Sequence, residues 1–158
     1  IGFLYVGLMI KDKNPFLVEF NVRMGDPECQ TILPLLKNDL TKLLLNCCLG
    51  KLNEEKIQLN NKKSICIVLC SKGYPDKYDQ NILIDGLSNL NLKKNEYIFH
   101  AGTKLENDRI LSNGGRVLNF VSLSDNFKTS RDELINLIAR LNWSNGFFRK
   151  DIGYKVID

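Results

Sequence analysis

The sequence predicts an α+β chain in two parts, the second a small β-rich domain with one packed helix. Apolar residues alternate along residues 1–22, and they then recur at helical spacing from Pro27 to Leu49. Short strand-like runs return from Ser64 onward, followed by one long amphipathic stretch. The pattern therefore reads as strands and helices, then a polar connection, then a mostly β region.

The first strand is expected from Phe3 to Ile10 and the second from Phe16 to Val22, with a turn at Lys11 to Pro15. Phe16, Val18, Phe20 and Val22 alternate with Leu17, Glu19 and Asn21, as expected of a strand with one face on a core. Gly25 allows a tight turn, Asp26 suits an N-cap, and Pro27 fits the first helical position with Glu28 beside it. Ile32, Leu35, Leu36, Leu40, Leu43 and Leu44 keep helical spacing, Pro34 should split the segment, and Gly50 should stop it. The polar stretch Asn53 to Lys63 reads as a connection, and a domain boundary inside it divides the chain into residues 1–56 and 57–158.

In the second part Ile65 to Leu69, Tyr97 to His100 and Val117 to Leu123 read as strands, with Asn113-Gly114 as a hairpin turn. Phe127 to Leu141 is an amphipathic helix with Leu134, Ile135, Ile138 and Leu141 on one side and Ser130-x-x-Glu133 as a capping box. A final strand is expected over Ile152 to Ile157.

The composition, 44% hydrophobic and 25% charged over 158 residues, is that of a globular cytoplasmic enzyme. The net charge of +4 comes from 22 scattered basic residues with no basic stripe, so a nucleic-acid partner is not expected. No apolar run approaches the ~20 residues of a membrane span. The five cysteines complete no zinc spacing and read as buried free thiols of a reducing compartment.

Chemistry concentrates in Glu19 to Glu28. Glu19, Asn21 and Arg23 fall on one face of a strand, and the carboxylate and amide stand about 7 Å apart by strand rise. Such a pair suits a hard cation that prefers oxygen ligands, Mg²⁺ above all, and Arg23 suits an anionic oxygen. A solvated strand face would also account for these types, but the turn into a helix start at Gly25 to Glu28 favours a phosphate-bearing ligand. Gly114-Gly115-Arg116 either wraps a phosphate or simply makes the hairpin turn, with the turn preferred. His100, the one histidine, reads as structural or substrate-orienting. Lys72, Arg149 and Lys150 read as solvated surface.

The stretch from Leu17 to Gln30, LVEFNVRMGDPECQ, resembles the signature of the phosphoribosylamine–glycine ligase family. Five further stretches agree in order: Tyr5 to Met9, Ser71 to Pro75, Phe99 to Thr103, Asn113 to Leu118 and Phe148 to Gly153. The resemblance implies the C-terminal part of an ATP-grasp domain followed by the small domain. It implies a ligase of purine biosynthesis that uses ATP, glycine and 5-phosphoribosylamine and passes through glycyl phosphate. By the same resemblance Glu19 and Asn21 hold Mg²⁺ or Mn²⁺, Arg23 and Asp26 contact the reacting substrates, and Arg116, Gly115 and His100 bind substrate. It also implies that this chain is a C-terminal fragment, that its partner is the missing N-terminal part of the same polypeptide, and that it does not turn over alone. Another ATP-grasp ligase and a non-catalytic nucleotide-binding module are the competing readings.

Overall fold

The computed structural model describes residues 1–157. Ile1–Asn60 form one compact unit and the chain from Asn61 onward forms a second.

The first unit begins with an antiparallel hairpin of β1 (Tyr5–Lys11) and β2 (Asn14–Asn21). Asp12 and Lys13 turn it with φ of 50° and 64°, the left-handed pair that matches the twist of a two-residue hairpin loop. The register skips Val18, because Gly7 faces Glu19 while Leu8 faces Leu17. The expected apolar core around β2 is absent: Phe16, Val18, Phe20 and Val22 are 53%, 64%, 59% and 86% exposed. Alternation identified the strand correctly, but this hairpin has no layer packed on it among the described residues of its unit.

Two helices follow, α1 (Glu28–Ile32) and α2 (Leu40–Cys48). Pro34 separates them as expected, sitting in a single 3-10 turn over Leu33–Leu35. The expected N-cap at Asp26 does not form. Pro27 occupies the cap position without a side-chain bond, and Asp26 Oδ1 instead accepts from Gln30 Nε2 at 3.0 Å. Asp39 caps α2 by accepting from the Lys42 amide at 3.0 Å, and Gly50, with φ of 72°, follows its last turn. Asn38 ties the segment beyond α2 back to the start of that helix, donating to the Lys56 carbonyl at 3.0 Å and accepting from the Gln58 amide at 2.6 Å.

The second unit is built on a four-stranded antiparallel sheet of β3 (Lys63–Ser71), β4 (Glu96–His100), β7 (Arg116–Ser124) and β8 (Gly146–Phe147), in the order β4-β7-β3-β8. Helix α3 (Phe127–Leu141) covers one face. Ile65, Ile67 and Leu69 of β3 and Leu118 and Phe120 of β7 meet Leu134, Leu137, Ile138 and Leu141 of α3 in one closed core. A separate hairpin, β5 (Thr103–Glu106) and β6 (Arg109–Ser112), lies between β4 and β7 in the chain.

Four expectations are corrected here. Helix α3 is capped by Asn126, whose side chain accepts from the Thr129 amide at 2.8 Å, so Ser130 and Glu133 form no capping box. Ser130 is buried and donates to the Lys63 carbonyl, while Glu133 accepts from Ser122 Oγ at 2.7 Å. Residues 152–157 form no strand: β8 already occupies the edge of β3, and Gly153, with φ of 79°, leads into the short helix α4 (Tyr154–Ile157). Asn113-Gly114 makes no hairpin, because β6 and β7 belong to different sheets. All five cysteines are free, but of these only Cys70 is buried and Cys48 is exposed.

Candidate functional site

In the first unit, Glu19 and Asn21 end β2 on a common face. Asn21 Nδ2 donates to Glu19 Oε1 at 3.0 Å, so the carboxylate and the amide are held together. Gly7 makes this possible from the neighbouring strand. It stands directly opposite Glu19, and a Cβ there would lie 3.0 Å from Glu19 Cγ. The sequence carries that signal as a lone glycine inside a strand, which marks a bulge or a close approach.

Arg23 lies past the strand end, its Nη1 donating to the Met24 carbonyl at 2.9 Å. With Gly25, Cys29 and Ile32 it lines a recess of about 170 Å³, walled also by Phe3 and Tyr5. Asp26 sits at the start of α1, where its negative charge adds to partial burial in pushing the Cys29 thiol pKa up. Burial is the larger cause.

Glu19 and Asn21 suit a divalent cation: both offer hard oxygen from one short stretch of strand. Among the described residues no cluster of three or more histidine, cysteine, aspartate or glutamate side chains gathers anywhere. A cation on this pair needs further ligands from outside it, and Mg²⁺ commonly keeps phosphate oxygens and water in its shell.

In the second unit, the stretches that the sequence singled out converge at one end of the sheet. The Gly102 amide donates to the Arg116 carbonyl at 2.8 Å, and the Asn113 amide donates to the Gly102 carbonyl at 2.7 Å. A Cβ on Gly102 would fall 2.7 Å from Gly114 Cα, so the two backbones cross where no side chain fits. Ser71 holds the same segment from the other side. Its amide donates to the Gly115 carbonyl at 2.8 Å and its hydroxyl to the Gly114 carbonyl at 2.9 Å. The Tyr74 ring fills the space that a side chain at position 115 would need. Close approach, not turn geometry, thus explains Gly114 and Gly115.

A bulge in β7 completes this corner. Leu69 faces Leu118 but Cys70 faces Arg116, leaving Val117 without a partner on β3, while its carbonyl accepts from the Ala101 amide at 3.0 Å. Val117 and Leu118, adjacent in sequence, both enter the core, and Arg116 comes onto the side of Cys70. Burial raises the Cys70 thiol pKa, and the Arg116 charge partly opposes it. His100 is exposed and its Nδ1 lies 2.9 Å from Thr103 Oγ1.

The model of the phosphoribosylglycinamide synthetase C domain matches residues 64–155. The chain belongs to the phosphoribosylglycinamide synthetase family. The model of the ATP-grasp (A) domain of the same synthetase matches residues 1–29, the stretch that holds Glu19, Asn21, Arg23 and Asp26. The chain is 42% identical over 158 residues to the phosphoribosylamine–glycine ligase of Yersinia pestis, covering 99% of this chain and 37% of that protein. It is 39% identical to the trifunctional purine biosynthetic protein adenosine-3 of Gallus gallus, over 99% of this chain and 16% of that protein. A crystal structure of phosphoribosylamine–glycine ligase from Thermotoga maritima superposes with a TM-score of 0.72 at 28% identity, over 95% of this chain and 36% of the other. The chain thus spans little more than a third of the single-function relatives it matches. Within this synthetase family assignment, the residues expected at the site fall into two groups: Glu19, Asn21, Arg23 and Asp26 in the first unit, and His100, Gly115 and Arg116 in the second.

The residues alone give no role to Ser71, Tyr74 or Gly7. Their tasks depend on partners far along the chain or across a strand pair, and only Gly7 left a local trace.

Proposed function

We propose that this chain is the C-terminal part of a ligase that joins glycine to 5-phosphoribosylamine at the expense of ATP. The products are 5-phosphoribosylglycinamide, ADP and phosphate, a step of purine biosynthesis in the cytoplasm. The observation that carries this reading is the Glu19–Asn21 pair, joined at 3.0 Å inside the segment matched by the ATP-grasp model.

In this reading a glycine carboxylate oxygen attacks the γ-phosphorus of ATP and ADP leaves. The amine nitrogen of 5-phosphoribosylamine then attacks the acyl carbon of glycyl phosphate, phosphate leaves, and the nitrogen releases a proton. Glu19 and Asn21 hold the divalent cation, Mg²⁺ or Mn²⁺, which when bound neutralises charge on the phosphate oxygens. Arg23 and Asp26 contact the reacting substrates, the guanidinium being suited to a carboxylate or phosphate oxygen. Arg116 offers a second guanidinium, the Gly115 backbone borders it, and His100 helps orient the substrate. The remaining N-terminal part of the polypeptide supplies the adenine clamp, and residues 1–158 alone do not turn over.

The test is ADP release by the full-length polypeptide, with glycine and 5-phosphoribosylamine supplied singly and together, beside Glu19→Gln. The expected result is release that needs both substrates, with the variant losing at least the roughly 10–100-fold typical of disturbed metal sites. Release indifferent to glycine reassigns the chain to another ATP-grasp ligase, and no release in any mixture favours a binding module.

A further inference from the structure

The corner of the second unit that ends in Arg116 is fixed more tightly than a connection between two sheets requires. Both carbonyls before Arg116 accept from Ser71, at 2.9 Å for Gly114 and 2.8 Å for Gly115, while the carbonyl of Arg116 itself accepts from Gly102 at 2.8 Å. Ser71 is fully buried at this contact, its hydroxyl spent on the backbone of a segment 43 residues away. The Tyr74 ring closes on Gly115 from outside, and Tyr78 meets Tyr74 edge-on at 6.1 Å, which limits the ring's freedom. The bulge at Val117 then directs Arg116 to the Cys70 side of the sheet.

We propose that Ser71 and Tyr74 are positioning residues that aim the Arg116 guanidinium at an anionic group of the substrate, by clamping the Gly114-Gly115 backbone that leads into it. This rests on the reading of Arg116 as a substrate contact. Clamping the backbone on both sides of an arginine removes the main-chain freedom that would otherwise blur a two-pronged contact with carboxylate or phosphate. A solvent-seeking arginine needs no such seat, and small displacements of a charged contact are costly to binding.

The experiment uses the full-length enzyme and compares Ser71→Ala and Gly115→Ala in the wild-type and Arg116→Gln backgrounds, measuring kcat and KM for each substrate. Arg116→Gln should raise KM for one anionic substrate. Ser71→Ala, which removes one hydroxyl, and Gly115→Ala, which collides with the Tyr74 ring, should each raise that same KM by about tenfold with kcat within about twofold. Both effects should vanish in the Arg116→Gln background. Ser71→Ala carries the test if Gly115→Ala does not fold. Equal effects in both backgrounds, or losses confined to kcat and thermal midpoint, overturn the positioning role while leaving Arg116 as a substrate contact. An Arg116→Gln enzyme with wild-type KM for every substrate removes that contact and the positioning role with it.

Discussion

The two units solve different problems with comparable proportions of apolar residues. From Asn61 onward, sheet and helix close around Phe120, Leu134 and Leu137, each with no measurable exposure. In residues 1–60 the one buried large apolar side chain among the described residues is Leu43, while the hairpin leaves Leu8, Met9, Phe16, Val18 and Phe20 more than half exposed. The unit bearing Glu19 and Asn21 thus keeps its apolar strands open, and the other completes its own core. Stability should therefore reside in the second unit, and loss of side chains from the hairpin should cost the chain little.

The largest expected effect breaks that contrast where it is strongest. Phe120→Ala should lower the unfolding free energy of the second unit by about 3–5 kcal/mol, read from urea titrations. Gly102→Ala sharpens it further, because the added Cβ meets the Arg116 carbonyl oxygen at 2.6 Å and has only backbone to displace. About 1–3 kcal/mol should be lost there, whereas an unchanged or higher stability would show the crossing to be loose.

The polar side of the second core is tested by pH. Desolvation alone would raise the Glu133 pKa, but hydrogen bonds from Ser122, Lys93 and Asn95 and the Lys93 charge outweigh it and hold it below the usual 4.5. A depressed folded pKa means the stabilisation is complete above the unfolded value and is lost as pH falls through the folded one. Glu133→Gln should cost about 1–3 kcal/mol at neutral pH and remove that part of the acid dependence below about pH 4.5, followed by denaturant midpoints across pH. The smallest effect belongs to the hairpin: Val18→Thr and Phe16→Ser in the 158-residue chain should each stay within about 0.5 kcal/mol. A loss above about 2 kcal/mol at either position would place a hidden core in the first unit and erase the contrast.

Periodicity is legible where the element and its packing partner lie close in sequence or repeat strongly. Helix α3 runs from Phe127 to Leu141 as its apolar spacing indicates, and β3, β4 and β7 contain the runs that predicted them. Pro34 breaks its helix for a reason internal to one residue. Local patterns failed where two candidates were chemically equivalent. Asn126 and Ser130 are both competent caps, and which one serves depends on where Lys63 runs, since Ser130 bonds its carbonyl. Asn113-Gly114 has hairpin chemistry, but Gly102 and Ser71 recruit the glycines for a crossing that no short window reveals. In the candidate site, shared strand parity made the meeting of Glu19 and Asn21 legible. The turn of Arg23 onto Met24 depends on chain direction after the strand ends, which alternation does not carry.

The open hairpin has a practical consequence. As a two-stranded ribbon it has two edges: Pro15 and the skip at Val18 interrupt that of β2, whereas that of β1 presents a row of backbone donors and acceptors, and apolar side chains stand on both faces of the ribbon. Nothing in Tyr5 to Lys11 breaks the strand edge with a proline or an inward charge. Association of the 158-residue chain along this edge should grow with concentration, an expectation that sedimentation at rising concentration checks.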